Sequence, residues 1–565
     1  MNLNEALRRR VSQALTVVGP CATLAVSPST NYDPINLIKL VFVFGIAFYV
    51  CGLYASQYKV VWNLMPKALK VAFAIFLISM TLTLFVSGAP FNQQIWGSFG
   101  RNTGYLTYVS LISLMVCAIA TSKGDLSEKI IKSLIYTTIP LTLYCLLQVA
   151  NQDPIPWSEK LPFGTLGNIN FSSAYFGLSS IACLGYLFVK KISNFARVNI
   201  LVMVLMDLVI VYSTGSIQGI MIFAAGSSFI LFSYIRNSGK LRLLKYPYLL
   251  SVFVGIFVVI LGLTNRGPLA KLLFAPSIVF RTDYWHAGWK MTLERPFFGV
   301  GLDSYGDWYR QARGYISTTR NSPDRISNTA HNIFLDLSSN GGFILLAAYL
   351  LIVIYTLLQS FKYFRRTNSF DPIFTTLFSV WLGFMVMSLV SINQIGVGIW
   401  GWLFNGSLIG YVRVNGNLGK IGISEEIKYS KTLKKMKRSS ISQIPAGSSL
   451  IALIALFIGV SLAYIPLRAD AAYRSALNSN VLDKIITSTR LVGSTSFHSE
   501  LALDLAIRNN LTTQAYEITK YMVEKYPRDF MGWKSLWLIT VSTPEEKDLA
   551  HKKLLEQDPF NPTVK

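Results

Sequence analysis

Residues 342–360 read GFILLAAYLLIVIYTLLQS, nineteen residues without a charge. A helix of that length, rising about 1.5 Å per residue, crosses about 30 Å of hydrocarbon. The run does not alternate apolar with polar residues, as a strand of a membrane barrel would. Lys362, Arg365 and Arg366 follow it, and a long polar loop containing His331 precedes it. An apolar span with cations at one end and a loop at the other is the pattern from which the rest of the chain is read.

The pattern recurs at 36–54, 71–87, 104–121, 130–149, 171–189, 198–213, 217–235, 247–264, 373–391, 397–413 and 449–466. A weaker candidate, 11–27, is poor in leucine and contains Pro20. Composition agrees: 52% of the 565 residues are hydrophobic and 14% charged, where soluble domains carry about 25% charged residues. The expected fold class is all-α: a polytopic membrane helix bundle of twelve or thirteen spans over residues 1–466. A long external loop at 265–341 belongs to it, and a helical domain follows at 467–565.

The net charge of +24 is read as orientation rather than nucleic-acid binding. Lys59, Lys67 and Lys70, then Lys190, Lys191 and Arg197, then Arg236, Lys240, Arg242 and Lys245 fall in loops on one side of the bundle, as do Lys362, Arg365 and Arg366. The 414–447 linker adds Lys420, Lys428, Lys431, Lys434, Lys435, Lys437 and Arg438. By the positive-inside rule that side is the cytoplasm. Arg8, Arg9 and Arg10 then require 11–27 to cross. The long loop, Asn321 within it, and the tail share the outer side.

The five cysteines all lie in apolar segments, so neither a disulfide framework nor a cysteine zinc site is expected. No His/Asp cluster has metal-ligand spacing. Gly299-Val300-Gly301 lacks the third glycine of a dinucleotide loop, and no Walker-type loop is present. No metal, no cofactor and no nucleic-acid partner is implied. The tail reads as short amphipathic helices forming a module separable from catalysis but needed for partner or acceptor choice. Thr543-Pro544-Glu545-Glu546 has the form of a capped helix start. Pro527 and Pro559 are 32 residues apart, near the about 34-residue tetratricopeptide period. Such a tail offers a concave face to a protein partner.

Chemistry is sought in the long loop, where charges escape burial in lipid. Its cations are Arg266, Lys271, Arg281, Lys290, Arg295, Arg310, Arg313, Arg320 and Arg325. Most are arginine, whose planar fork suits phosphate oxygens. A clamp for a diphosphate or lipid headgroup and a surface drawn to anionic phospholipids both fit this composition. Of four histidines, His498 and His551 read as exposed tail residues, and His286, between aromatics, as structural. His331 stands in Thr329-Ala330-His331-Asn332-Ile333 at the membrane rim. It is either a polar rim residue or the proton acceptor for a hydroxyl activated there.

At these residues the chain resembles the superfamily of O-antigen ligases and O-antigen polymerases, which includes protein O-oligosaccharyltransferases. The resemblance is carried by Leu161 to Asn170, by Phe280-Arg281-Thr282-Asp283-Tyr284-Trp285 with Arg295 to Gly301, and by Ala330 to Asp336 with Gly341-Gly342. Trp96 to Gly104 is similar to a motif of the ligase-like branch. It implies a GT-C-like fold and metal-independent transfer of a glycan from a polyprenyl-diphosphate carrier to an acceptor outside the inner membrane. It gives His331 the acceptor hydroxyl and Arg281 and Arg101 the donor diphosphate. Arg310, Arg325, Asn332 and Gln218 are implied as further substrate contacts. Where the family often has Ser-Arg-Gly, this chain has Ser216-Ile217-Gln218-Gly219, and Gln218 brings no charge.

Three enzyme readings follow. One is a ligase acting on lipid A core or another acceptor, one a polysaccharide polymerase, and one transfer to protein. The non-enzyme reading is a lipid-glycan flippase or transporter. That class lines its bundle with intramembrane charges, whereas here Asp207 alone lies deep in a span.

Overall fold

The computed structural model describes residues 3–122, 125–157, 161–190, 192–274, 276–320, 322–418 and 444–565. Lys191, Asn321 and the linker cations Lys420 to Arg438 lie outside the described residues. The protein is an all-helical polytopic membrane protein, with no strand among the described residues. The first half comprises α1 (Glu5–Leu24), α2 (Leu37–Tyr54), α3 (Tyr58–Leu64), α4 (Lys67–Val86), α5 (Phe91–Trp96) and α6 (Tyr105–Thr121). It continues with α7 (Leu126–Val149), α8 (Ile169–Tyr186), α9 (Asn194–Ser213), α10 (Gln218–Asn237) and α11 (Lys245–Leu263). The long loop holds α12 (Ala270–Leu273), α13 (Pro276–Glu294), α14 (Tyr305–Ala312) and α15 (Tyr315–Arg320). Three more bundle helices follow, α16 (Ile333–Arg366), α17 (Pro372–Ser388) and α18 (Ile395–Leu418), and then α19 (Ala446–Ser479). The tail adds α20 (Leu482–Thr489), α21 (Ser496–Arg508), α22 (Thr512–Lys525), α23 (Phe530–Leu538) and α24 (Pro544–Gln557).

Every apolar run read from the sequence falls on one of these helices. Among the described residues nine helices are long and apolar enough to cross a membrane, and α6 and α17 are shorter apolar helices. α1 and α8 are more polar, and packing holds them in the bundle. The weak candidate at 11–27 is helical over Glu5–Leu24, starting where Asn4 accepts from the Ala6 and Leu7 amides. Its buried Leu7, Val11, Leu15, Val18 and Ala22 form one face, packed on α2, α7 and α18. The pairing of α2 with α19 rests on small residues. A Cβ on Gly52 would stand 2.6 Å from the Ala452 backbone, and one on Gly459 2.6 Å from the Phe44 carbonyl, the close approach on which helix association in lipid depends.

α16 is broken at Gly342, whose φ of 76° no L-side chain adopts readily. The loop start docks into this break. The Val300 amide donates to Ser339 O (2.8 Å), Gly301 to Asn340 O (3.1 Å), and Phe343 to Pro296 O (2.7 Å). The glycine motifs at 295–301 and 341–342 thus satisfy each other's backbone. They close the loop onto the start of its own following span and set the short helical segment 333–341 ahead of the apolar run.

The tail packs back on the bundle. α19 passes through Pro466 without interruption, so the boundary drawn at 466/467 lies inside one helix. Beyond it each helix packs on the next. The Thr543–Glu546 capping box and Pro544 at the helix start are present as read. The histidine environments differ from expectation. His498 is buried, its Nε2 3.0 Å from Asp470 Oδ1, and Asp470 also accepts from the Tyr32 amide at 2.7 Å. His551 is half-buried, stacked on Trp537 with ring centroids 4.9 Å apart. Both are covered because the tail folds onto itself and onto the segment between α1 and α2. His286, expected to be packed between aromatics, is exposed, since α13 turns that face outward.

Candidate active site

The segment Asn328–Asp336 is built around one carboxylate. Asp336, in the first turn of α16, accepts from Thr329 Oγ1 (2.6 Å) and from the Ala330 amide (2.7 Å). Thr329 Oγ1 in turn accepts from the His331 amide (3.1 Å). Asn332 caps the helix, its Oδ1 accepting from Phe334 and Leu335 at 3.0 and 3.2 Å. These bonds hold His331 at φ 51°, a left-handed conformation that non-glycine residues keep where the surroundings over-determine it. The His331 ring stacks on Tyr284 of α13, with centroids 5.4 Å apart. Among the described residues neither ring nitrogen has a hydrogen-bond partner.

Arg281 lies one helical turn before Tyr284. Its half-buried guanidinium has no carboxylate partner among the described residues, and its buried Nε is unpaired. From the opposite side Arg101 donates through Nε to Asn328 Oδ1 at 3.0 Å. Burial first, and then the positive charges of Arg101 and Arg281, push the His331 imidazole down to about 3. It is therefore neutral at any ordinary pH. The Arg101 turn is pinned to the loop by Asp303, whose carboxylate accepts from the Ser98 (2.8 Å) and Thr103 (3.1 Å) amides. Gly97 lets the turn close: at φ 92° a Cβ there would stand 2.5 Å from Asp303 Oδ2. Arg101, Asp303, Asn328 and Asp336 line a cleft of about 550 Å³, counting its mouth, and Tyr108 and Asn393 form part of its wall.

The family model described as O-antigen ligase matches residues 201–350. This match to part of the chain supports the O-antigen ligase superfamily. No curated protein matches the chain. The matched segment runs from α9 to the break in α16 and contains Arg281 and His331, while Arg101 lies outside it. The matched family is one of glycosyltransferase-like ligases, which implies a lipid-linked glycan substrate in a membrane.

The residues singled out from the sequence divide. His331, Arg281 and Arg101 come together. Asn332 is beside them, but its side-chain oxygen serves the helix cap. Arg325 is exposed and lies 3.5 Å over the ring of Phe280, the neighbour of Arg281. Arg310 is not open to a ligand as expected. It pairs with Asp558 of the tail at 3.1 Å, donates to Pro323 O at 2.9 Å and lies 4.0 Å over the Phe530 ring. Gln218 stands elsewhere, buried at the start of α10 where α8 and α17 pack, with both amide atoms unpaired. Sequence reading missed Asp336, Asn328, Asp303 and Tyr284. The repeated Asx and Thr residues around His331 were the available sign of a hydrogen-bonded turn.

Proposed function

We propose that this protein is an O-antigen ligase-like glycosyltransferase, moving a glycan from a polyprenyl-diphosphate carrier to an acceptor hydroxyl on the outer side of the bacterial inner membrane. The observation that carries the reading is Arg281. A half-buried guanidinium with an unpaired Nε and no carboxylate lacks the counter-charge that buried cations otherwise have. A donor diphosphate supplies it. Arg101, held by Asn328, adds a second positive charge near His331.

The chemistry follows from these charges. The acceptor oxygen attacks the anomeric carbon of the donor sugar, the bond from that carbon to the diphosphate oxygen breaks, and polyprenyl diphosphate leaves with the bonding pair. The hydroxyl proton passes to His331. In the free protein Arg101 and Arg281 oppose protonation of the imidazole. The bound diphosphate offsets both charges, so His331 becomes a better base when the donor is in place. Charge growing on the leaving diphosphate is met by guanidinium groups already positioned for it.

Glycan profiling of a deletion strain tests the reading. A ligase leaves long carrier-linked glycan unattached to its acceptor. Single repeats on an otherwise glycosylated acceptor would mean a polymerase, and an unchanged glycan profile would sink the proposal.

A further inference from the structure

We infer that the C-terminal domain is a built-in part of the transfer site: Asp558, at the end of the last tail helix, is a positioning residue that sets the catalytic loop through Arg313. The inference rests on the function proposed above for the His331 site.

The guanidinium of Arg313 and the carboxylate of Asp558 are both fully buried. Nη2 of Arg313 donates to Asp558 Oδ2 at 2.6 Å and Nε to Oδ1 at 3.2 Å, the two-pronged pairing that fixes direction as well as distance. Its remaining donors turn to the loop: Nη2 to Pro323 O at 2.7 Å and Nη1 to Arg325 O at 3.0 Å. Arg310 also joins Asp558 to Pro323 O. Asn561 Nδ2 donates to Asp558 at 2.9 Å, fixing the carboxylate from the tail side.

From there the path to the site is short. The Arg325 carbonyl is held by Arg313, and the Arg325 guanidinium covers Phe280, next to Arg281. Three residues beyond Arg325, Asn328 receives Arg101, and Thr329 and Ala330 bond to Asp336 and set His331. On the other edge Arg320 pairs with Asp283 of α13 at 2.9 Å. A second tail contact braces the start of this segment. Trp308 of α14 lies between the guanidinium of Arg295 (4.3 Å) and that of Arg528 from the tail (3.4 Å), and Arg528 donates to Gln311 Oε1 at 2.6 Å. An Arg–carboxylate pair withdrawn from water holds only while both partners are present. Without Asp558, Arg313 has an unmatched charge, and the 313–325 segment leaves its seat.

The test uses the full-length protein in nanodiscs, with wild type, Asp558→Asn and Arg313→Lys. Two readings are taken: limited trypsin cleavage after Arg313, Arg320 and Arg325, and transfer from a polyprenyl-diphosphate glycan resolved into kcat and KM. Both variants are expected to become trypsin-sensitive in the loop. Their kcat should fall on the order of 10²-fold, the size of effect a displacement of about 1 Å produces. Asp558→Glu, which keeps the charge, should restore kcat in part. A loop opened to trypsin with wild-type kcat overturns the inference, and so does a loop that stays protected in both variants. If Asp558→Asn does not accumulate in the membrane, Arg313→Lys and Asp558→Glu carry the same comparison. A wild type that transfers nothing would instead count against the proposed function, and the trypsin pattern separates that failure from this one.

Discussion

Two groups of arginines share the long loop, and their partners separate them. Arg310 and Arg313 face Asp558 and backbone carbonyls, so the fold already supplies their counter-charge. Arg281 has a buried, unpaired Nε and lies near a histidine whose ring nitrogens have no hydrogen-bond partner among the described residues. The residue type is the same and both groups are at least half-buried. The difference teaches that arginine richness by itself says little about ligand binding: what counts is whether the fold has already supplied the anion. One group is already paired by the fold, and the other is the one proposed to meet the donor diphosphate.

The largest expected effect lies on the open side. His331→Ala should lower transfer by about 10²–10⁴-fold, the usual contribution of a positioned acid or base. Donor affinity should stay near wild type, measured with purified protein in nanodiscs. Near-wild-type turnover would leave His331 a rim residue. The pH profile sharpens this. In the free protein the imidazole is pushed down to about 3 by burial, Arg101 and Arg281, so kcat/KM should show no acidic limb near 6.5. In the donor complex the diphosphate offsets those charges, so any acidic limb in kcat should lie at higher pH than that in kcat/KM.

On the closed side, Arg313→Ala should cost stability as well as turnover. Removing one partner of a buried pair typically costs about 3–5 kcal/mol, and hydrogen exchange over residues 305–325 should register it. Loss of donor binding with an undisturbed loop would erase the distinction between the groups.

A smaller effect comes from Asp307, at the seam between α14 and the tail. Loss of solvent pushes its carboxyl up to about 7, against the Gln93 hydrogen bond that lowers it. The folded protein therefore holds a proton there that the unfolded chain releases near pH 4. Stability from this group is fullest below about pH 4, declines as pH rises to about 7, and levels off above. Asp307→Asn should raise the Tm at pH 8 and leave it unchanged at pH 4. The smallest effect belongs to the tail alone: Thr543→Ala removes a helix cap and should cost about 1 kcal/mol, read by denaturant unfolding.

Much of the bundle was legible because each span is local, a run of apolar residues whose length alone states its role. α1 was harder, since its stability comes from neighbours rather than from apolarity. At the site, His331 and Arg281 could be picked out by residue type and motif. Their supports could not: Arg101 reaches Asn328 across 227 positions and Arg313 reaches Asp558 across 245. Such pairings leave no periodicity. Arg310 and Arg313 looked alike in sequence with Arg281 because their partner stands at the end of the last tail α-helix, in a tail that reads as separable until its contacts are seen. His498 was misplaced for the same reason, its cover coming from Asp470 and the segment after α1.

The comparison of the two groups comes down to one binding measurement. Affinity for a polyprenyl diphosphate is compared for wild type, Arg281→Ala, Arg281→Lys and Arg310→Ala in nanodiscs of neutral lipid. Losing a hydrogen bond to a charged group typically costs about 1.5–3 kcal/mol, or roughly 10- to 150-fold in Kd. Arg281→Ala should show that loss, and Arg281→Lys should recover part of it, since an ammonium keeps the charge without the fork. Arg310→Ala should bind within a few-fold of wild type. Equal affinity of Arg281→Ala and wild type, or a larger loss in Arg310→Ala, would contradict the assignment of Arg281 to the donor diphosphate.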